Sequence, residues 1–273
     1  MPVHVPAASS RHTGRELPDK PRHHYHTQMF ELSIRQYLQK HGFERLTPKA
    51  VLFDMDGVLY DSMPNHAQCW QESMAEFGIH MTADDAYAYE GMRGVETIQI
   101  MVRQQQGREI SEDEAQKMYD VKTRLFGLLP KAPIMPGILD LMSRIKESGV
   151  RICVVTGSGQ RPLLRRLVDD FGDFIDADHI VSAYDVKRGK PQPDPYLKGM
   201  AKTGCTHPWE AIVVENAPLG VQAGAAADIF TVAVNSGPLP DETLVSSGAD
   251  IVLPRMTVLA DGWSSLLSEA RAT

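Results

Sequence analysis

The sequence predicts an α/β protein: a Rossmann-like parallel sheet with helices on both faces, interrupted once by an inserted helical cap. Three observations predict it. Six short runs, AVLFDM at 50–55, RICVVTG at 151–157, HIVSA at 179–183, AIVVEN at 211–216, IFTVAV at 229–234 and DIVLP at 250–254, are almost continuously apolar. That is the habit of strands buried on both faces. Helical segments such as GILDLMSRIKESG, QRPLLRRLVDDFG, PDPYLKGMAKTG and PLGVQAGAAA separate the later runs, and strands alternating with helices build parallel sheets. Between the first run and Pro136 the strand signal stops. Helical patterns at 62–77, 83–89, 95–106 and 112–128 follow instead, which reads as a cap inserted over the carboxyl edge of the sheet.

Each element then takes its place in order. Residues 1–27 are polar, contain proline and show no period, so a disordered tail is expected there. His23, His24 and His26 belong to it and read as a solvated histidine-rich stretch rather than a metal site. Residues 28–48 form a helical extension, with Met29, Phe30, Leu32, Ile34 and Leu38 at partly helical spacing. The core comprises 49–64 and 134–273, and the cap 65–133. Two linkers, 61–65 and 132–137, should let the cap open and close. Trp70, Phe77 and Trp263 are expected as packing anchors, and Asp61 as the N-cap of the first cap helix.

Composition narrows the function. Of 273 residues 42% are hydrophobic and 23% charged, with a formal net charge of −7. That balance argues against nucleic acid or an anionic membrane as partner. No apolar run reaches the ~18 residues of a membrane span, and the N-terminus lacks a secretory h-region. Cys69, Cys153 and Cys205 form no C-x-x-C pair. A cytoplasmic monomer acting on a small molecule is the expectation.

The chemistry gathers at strand ends, where parallel sheets place their sites. In FDMDGVLYDS the first strand runs into Asp54 and Asp56, whose side chains alternation puts on one face. Neighbouring carboxylates repel unless a cation joins them, and magnesium favours one or two carboxylates with phosphate and water. Thr156 ends VVTGS, Lys190 lies in KRGKPQPDPY, and Glu215-Asn216 end AIVVEN. A hydroxyl, an ammonium and two further oxygens at successive strand ends suit a phosphoryl group beside a metal.

DMDGV, VVTGS, GKPQPDPY and VVENAPLGVQAG resemble the four ordered motifs of the haloacid dehalogenase-like (HAD) superfamily, over about residues 50–256. The helical insertion after the first motif is similar to its β-phosphoglucomutase-like subfamily. The resemblance implies magnesium-dependent phosphoryl transfer on a small phosphorylated substrate, through an aspartyl-phosphate on Asp54. Asp56 would be general acid and base, Thr156 and Lys190 would hold the transferring group, and Glu215 and Asn216 would position magnesium with Asp54 and the Asp56 carbonyl. One departure stands out: the fourth motif usually carries two acids, and here the second is the amide Asn216.

The substrate has to be read from the cap and the loop facing it: His66, Glu90, Arg93 and Lys122, with Ser158 and Gln160 from TGSGQ. Where β-phosphoglucomutases present basic residues to a remote phosphate, this chain has an acid, Glu90. A carboxylate there suits a substrate that brings its own metal. The whole pattern from DMDGVLYDSMPNH through EGMRG resembles the inorganic pyrophosphatases of the superfamily, so pyrophosphate is the expected substrate. The alternatives are a β-phosphoglucomutase, a sugar-phosphate phosphatase or a non-catalytic binding protein.

Overall fold

The computed structural model describes residues 20–273 of the chain. Six strands form one parallel sheet: β1 (Ala50–Phe53), β2 (Arg151–Val155), β3 (Ile180–Val181), β4 (Ala211–Glu215), β5 (Phe230–Val234) and β6 (Ile251–Leu253), in the order β3-β2-β1-β4-β5-β6. The apolar runs become these strands because both sheet faces are covered. Val51 and Phe53 point into a layer with α6 (Ile138–Glu147), α7 (Arg161–Phe171) and α11 (Met256–Ala272). Leu52, Cys153 and Val155 point the other way, against Tyr196 and Met200 of α8 (Asp194–Lys202) and Ala223 of α9 (Pro218–Ala226). At about 25 cal/mol per Å2 of apolar surface, this two-sided burial is the main force holding the sheet.

Register decides where the site lies. Phe53 is opposite Val154 on one side and Val214 on the other, so Asp54, Thr156 and Glu215 leave the sheet at one edge. Here β1 sits between β2 and β4, the point at which the strand order changes direction and a crevice opens.

Helix α1 corrects the expected extent of the tail. It runs Lys20–His41, so residues 20–27 are helical rather than coil. Pro21 is tolerated in a first helical turn, and the packed face at Phe30, Ile34 and Tyr37 supports the turns before it. Residues 1–19 lie outside the described residues, as do the side chains of His23, His24 and His26. Tyr37 also donates from its hydroxyl to the Asp228 carbonyl at 2.8 Å, which ties α1 to the turn before β5.

The inserted helices are α2 (Met63–Ala75), α3 (Ala83–Ala88), α4 (Gly94–Gln106) and α5 (Glu112–Leu128). They close around a core of their own that includes Trp70, Met74, Ile98, Val102 and Met118. Trp70 and Trp263 are buried, and Phe77 is half-buried. The two crossing segments pair with each other: Asp61 N–H donates to Pro133 O at 2.9 Å and Met135 N–H to Leu59 O at 2.8 Å. Asp61 does not cap α2. The N-cap is Ser62, whose hydroxyl makes no capping bond and turns to the site. No described helix is long and apolar enough to cross a membrane, and all three cysteines are free and buried.

Candidate active site

Asp54 and Asp56 follow β1 directly, and both are buried, at 4% and 7% exposure. Lys190, at 1% exposure, arrives from the segment after β3. Its ammonium donates to Asp54 Oδ1, to Glu215 Oε1 at 2.6 Å and to the Val155 carbonyl at 3.1 Å. A buried ammonium with two carboxylates and a carbonyl is fully satisfied. Burial would lower its pKa, but Asp54 and Glu215 outweigh that and hold it above the usual lysine range. Asp54 is pushed up to about 7, first by burial and then by Glu215, against the pull of Lys190. A cation beside Asp54 would favour its charged form.

Glu215, expected to position the metal, also holds Lys190. Its Oε1 accepts from Lys190 and, at 2.6 Å, from the hydroxyl of Tyr196. Its Oε2 accepts from the Asn216 and Ala217 N–H groups at 3.0 and 3.3 Å. Both oxygens take part in holding Lys190 and shaping the turn into α9. Gly220 makes that possible, since a Cβ there would lie 1.8 Å from Glu215 Oε1. Tyr196 was not found by sequence reading; its only signal was its place in PQPDPY, two residues into α8.

Asp54 Oδ2 and both side-chain atoms of Asn216 are buried without a hydrogen-bond partner among the described residues, as is His66 Nε2. An unpaired buried oxygen is costly, and two of them at adjacent strand ends, on Asp54 and Asn216, are the hard oxygen donors magnesium prefers. The residues present fit a magnesium ion, with Asn216 supplying a neutral ligand.

Thr156 sits at 4% exposure beyond β2. Its Oγ1 accepts from Ser158 N–H at 3.0 Å, which leaves its own O–H free to donate. Ser158 Oγ in turn accepts from Gln160 N–H at 3.2 Å. These bonds fold TGSGQ into a tight loop facing the cap.

The cap residues assemble differently from the expectation that they all touch substrate. His66 and Lys122, at 6% and 2% exposure, are both buried. Lys122 Nζ lies 2.8 Å from His66 Nδ1, and His66 Nε2 lies 3.1 Å from Asp56 Oδ1, close but not aligned as a hydrogen bond. An ammonium can only donate, so Nδ1 accepts and the imidazole proton is assigned to Nε2, facing Asp56. Burial, then Lys122, lowers the His66 pKa and keeps the ring neutral. Burial also lowers the pKa of Lys122, against the pull of Glu90 and Asp56. Its nitrogen sits 5.0–5.7 Å from the ring centres of Trp70, Tyr119 and Phe126, within cation–π range.

Ser62 completes the grip on Asp56, donating to Oδ1 at 2.6 Å. Burial alone would raise the Asp56 pKa, but His66, Ser62 and Lys122 leave it below the usual aspartate range. Glu90 lies above both aspartates. Burial, then Asp56 and Asp54, pushes its carboxyl up to about 8. Arg93 is not in this group: its guanidinium pairs with Glu112 at 2.9 Å and Glu96 at 3.4 Å on the cap surface.

The cap is closed on the core. A Cβ on Gly157 would lie 3.0 Å from the Gly91 carbonyl, and one on Gly91 would lie 3.0 Å from Lys190 Cδ. Only about 40 Å3 remains beneath, lined by Asp56, His66, Glu90, Lys122, Thr156 and Gln160 among others.

Comparison with known proteins agrees with this architecture. The profile of the haloacid dehalogenase-like hydrolases matches residues 48–228, and the chain belongs to that family. Hexitol phosphatase A of Escherichia coli K12 is 31% identical over 207 residues, covering 75% of this chain and 90% of that protein. The β-phosphoglucomutase of Bacillus subtilis is 27% identical over 215 residues, covering 75% and 92%. A solved structure provisionally described as a β-phosphoglucomutase from Bacteroides vulgatus superposes with a TM-score of 0.86 at 46% identity, covering 90% of this chain and 99% of that one. These relatives make the molecule a HAD hydrolase of the β-phosphoglucomutase-like kind.

Proposed function

We propose that this protein is a phosphohydrolase of small phosphorylated carbohydrates, working through an aspartyl-phosphate on Asp54. One observation carries the choice of hydrolase over mutase. The cap offers the chamber a single cation, Lys122, which is already bonded to His66 and faces the acid Glu90. A mutase must hold a second phosphate of a bisphosphate while it turns, and among the described residues no second cation lines the chamber. Arg93 lines a separate small crevice beside Lys190 and is paired with Glu96 and Glu112. Glu90 with its raised pKa, Tyr119, Ser158 and Gln160 instead present hydroxyl and amide groups, which match the hydroxyls of a polyol. The likeness to hexitol phosphatase A supports the same substrate class.

The chain's own residues supply the steps. Asp54 attacks phosphorus, forming a P–O bond as the bond to the leaving oxygen breaks. Asp56, held by Ser62 and beside His66, carries the proton. Negative charge developing on the substrate favours its protonated form, from which the leaving oxygen takes the proton. Asp56 then takes one from the water that hydrolyses the acyl phosphate. Lys190 and the Thr156 hydroxyl hold the transferring group. Asp54, Asn216 and the Asp56 carbonyl would hold magnesium, which neutralises charge on the phosphoryl oxygens. The closed cap excludes bulk water.

A second reading, pyrophosphate as substrate, is favoured by Glu90 itself. In a chamber of about 40 Å3, a carboxylate beside a leaving phosphate is stabilising when a second cation lies between them. Phosphate release with magnesium from hexitol, hexose and glycerol phosphates, beside pyrophosphate, separates the readings. Preference for the carbohydrate esters is expected. A wide preference for pyrophosphate, lost in Glu90→Ala while ester hydrolysis persists, would replace the first reading with the second. Efficient isomerisation of β-glucose 1-phosphate with little phosphate release would establish a mutase.

A further inference from the structure

The chamber does not end at Asp56. A cleft of about 670 Å3 lies between the C-terminal turn of α5 and α7, and it shares Asp56 and Gln160 with the chamber. It therefore opens on the acid that protonates the leaving oxygen. We propose that this cleft binds the outer part of the leaving group, and that it suits phosphorylated carbohydrates of disaccharide size. The proposal rests on the phosphohydrolase reading and names the substrate class of the same site.

Size comes first. About 40 Å3 accommodates the reacting group and the hydroxyls nearest it but no second sugar ring, whereas about 670 Å3 lies within the ~300–1,000 Å3 common for small-molecule sites. Chemistry agrees. Phe126 and Leu163 give the walls apolar surface for the C–H faces of sugar rings, and Asn65, Thr123 and Gln160 give neutral donors and acceptors for hydroxyls. Lys131 and Arg165, both exposed on the rim, have no ion-pair partner among the described residues. Their donors remain free for a ligand.

The wall behind them is fixed. Arg166 donates to Asp170 Oδ2 at 2.9 Å and to the Ala132 carbonyl at 2.6 Å, and lies 4.1 Å from the Tyr60 ring centre. Tyr60 donates to the same Asp170 oxygen at 2.9 Å. Both crossing segments of the cap are thus tied to α7, so the cleft has a set shape when the cap is closed.

Gly127 on α5 provides the test. It lines the cleft, and a Cβ built there meets nothing within 4 Å. Gly127→Trp therefore fills the cleft without displacing backbone, and leaving glycine favours the helix. The readout is kcat/KM for trehalose 6-phosphate divided by that for glycerol 3-phosphate, in wild type, Gly127→Trp and Arg165→Glu. Both variants should lower the ratio, Gly127→Trp by at least about tenfold, the loss residing in KM for the disaccharide ester. An unchanged ratio in Gly127→Trp would overturn the cleft as a leaving-group site. So would a wild type that hydrolyses glycerol 3-phosphate and refuses the disaccharide ester. Failure to hydrolyse any phosphomonoester would instead overturn the hydrolase reading, and the site with it.

Discussion

Lys122→Met separates two roles that the same cation could play. Read from sequence, Lys122 grips substrate; in the structure its nitrogen is spent on His66 Nδ1 at 2.8 Å, and His66 faces Asp56. Hydrogen bonds to charged groups are worth ~1.5–3 kcal/mol. At ~1.36 kcal/mol per decade, loss of the aim on Asp56 should lower kcat roughly 10- to 150-fold. That does not exceed the ~10²–10⁴-fold a general acid contributes, as expected for a residue that acts through another. Stability should fall modestly. Lys122 is only 2% exposed; its own desolvation is relieved, but His66 Nδ1 loses its donor, and a buried polar atom left unpaired costs ~1–3 kcal/mol. The three rings around the nitrogen make a good seat for a methionine sulfur. Steady-state kinetics on a phosphomonoester and a thermal melt read both effects. A KM that rises while kcat holds would refute positioning and restore the substrate grip. A melting point that collapses would make Lys122 a structural cation.

Three further perturbations test the core. Asp54→Asn should abolish turnover while circular dichroism and melting point stay near wild type; substantial residual activity would remove Asp54 as nucleophile. Gly220→Ala would normally strengthen a helix, but its Cβ would collide with Glu215. It should cost ~1–3 kcal/mol in urea melts and lose activity through Lys190, and a more stable protein would contradict the packing argument. Asn216→Asp restores a charge beside the cation. The magnesium concentration giving half the maximal thermal shift should fall at least about tenfold, since an added unit charge near a divalent ion exceeds the ~1.4 kcal/mol of one decade. An unchanged midpoint would show that residue 216 is no ligand.

The sheet was legible because its signal is local. Each strand run is apolar along its length, and each ends on a polar residue that the parallel register carries to one edge, as Phe53 opposite Val154 and Val214 shows. The cap was legible for the same reason, its helices carrying their own period. What the sequence concealed is pairing across distance. His66 and Lys122 are 56 residues apart, and nothing in either segment says that the lysine will face an imidazole instead of a substrate. Glu215 and Tyr196 meet across 19 residues, and neither segment shows that the carboxylate will hold both a tyrosine and a lysine. Ser62 was read past because a helix start normally uses its hydroxyl on its own backbone; here Asp56 competes and wins. The boundary of α1 was missed because a proline near a helix start looks the same as a proline in coil.

Closure of the cap joins substrate choice to chemistry at two contacts. Gly91 follows Glu90, and the backbone there presses on both catalytic loops: its carbonyl approaches Gly157 beside Thr156, and its Cα faces the Lys190 stem. A larger residue at either glycine would hold the cap loop away from Lys190, and Glu90 would retreat from the phosphoryl group with it. In the same closed arrangement His66 lies on Asp56, because α2 carries His66 within a cap packed around its own core. An opened cap would have neither Glu90 nor the His66–Asp56 contact in place. On the proposed mechanism the aspartyl-phosphate would form only with the substrate enclosed, and water would compete for the site only after the leaving group has gone.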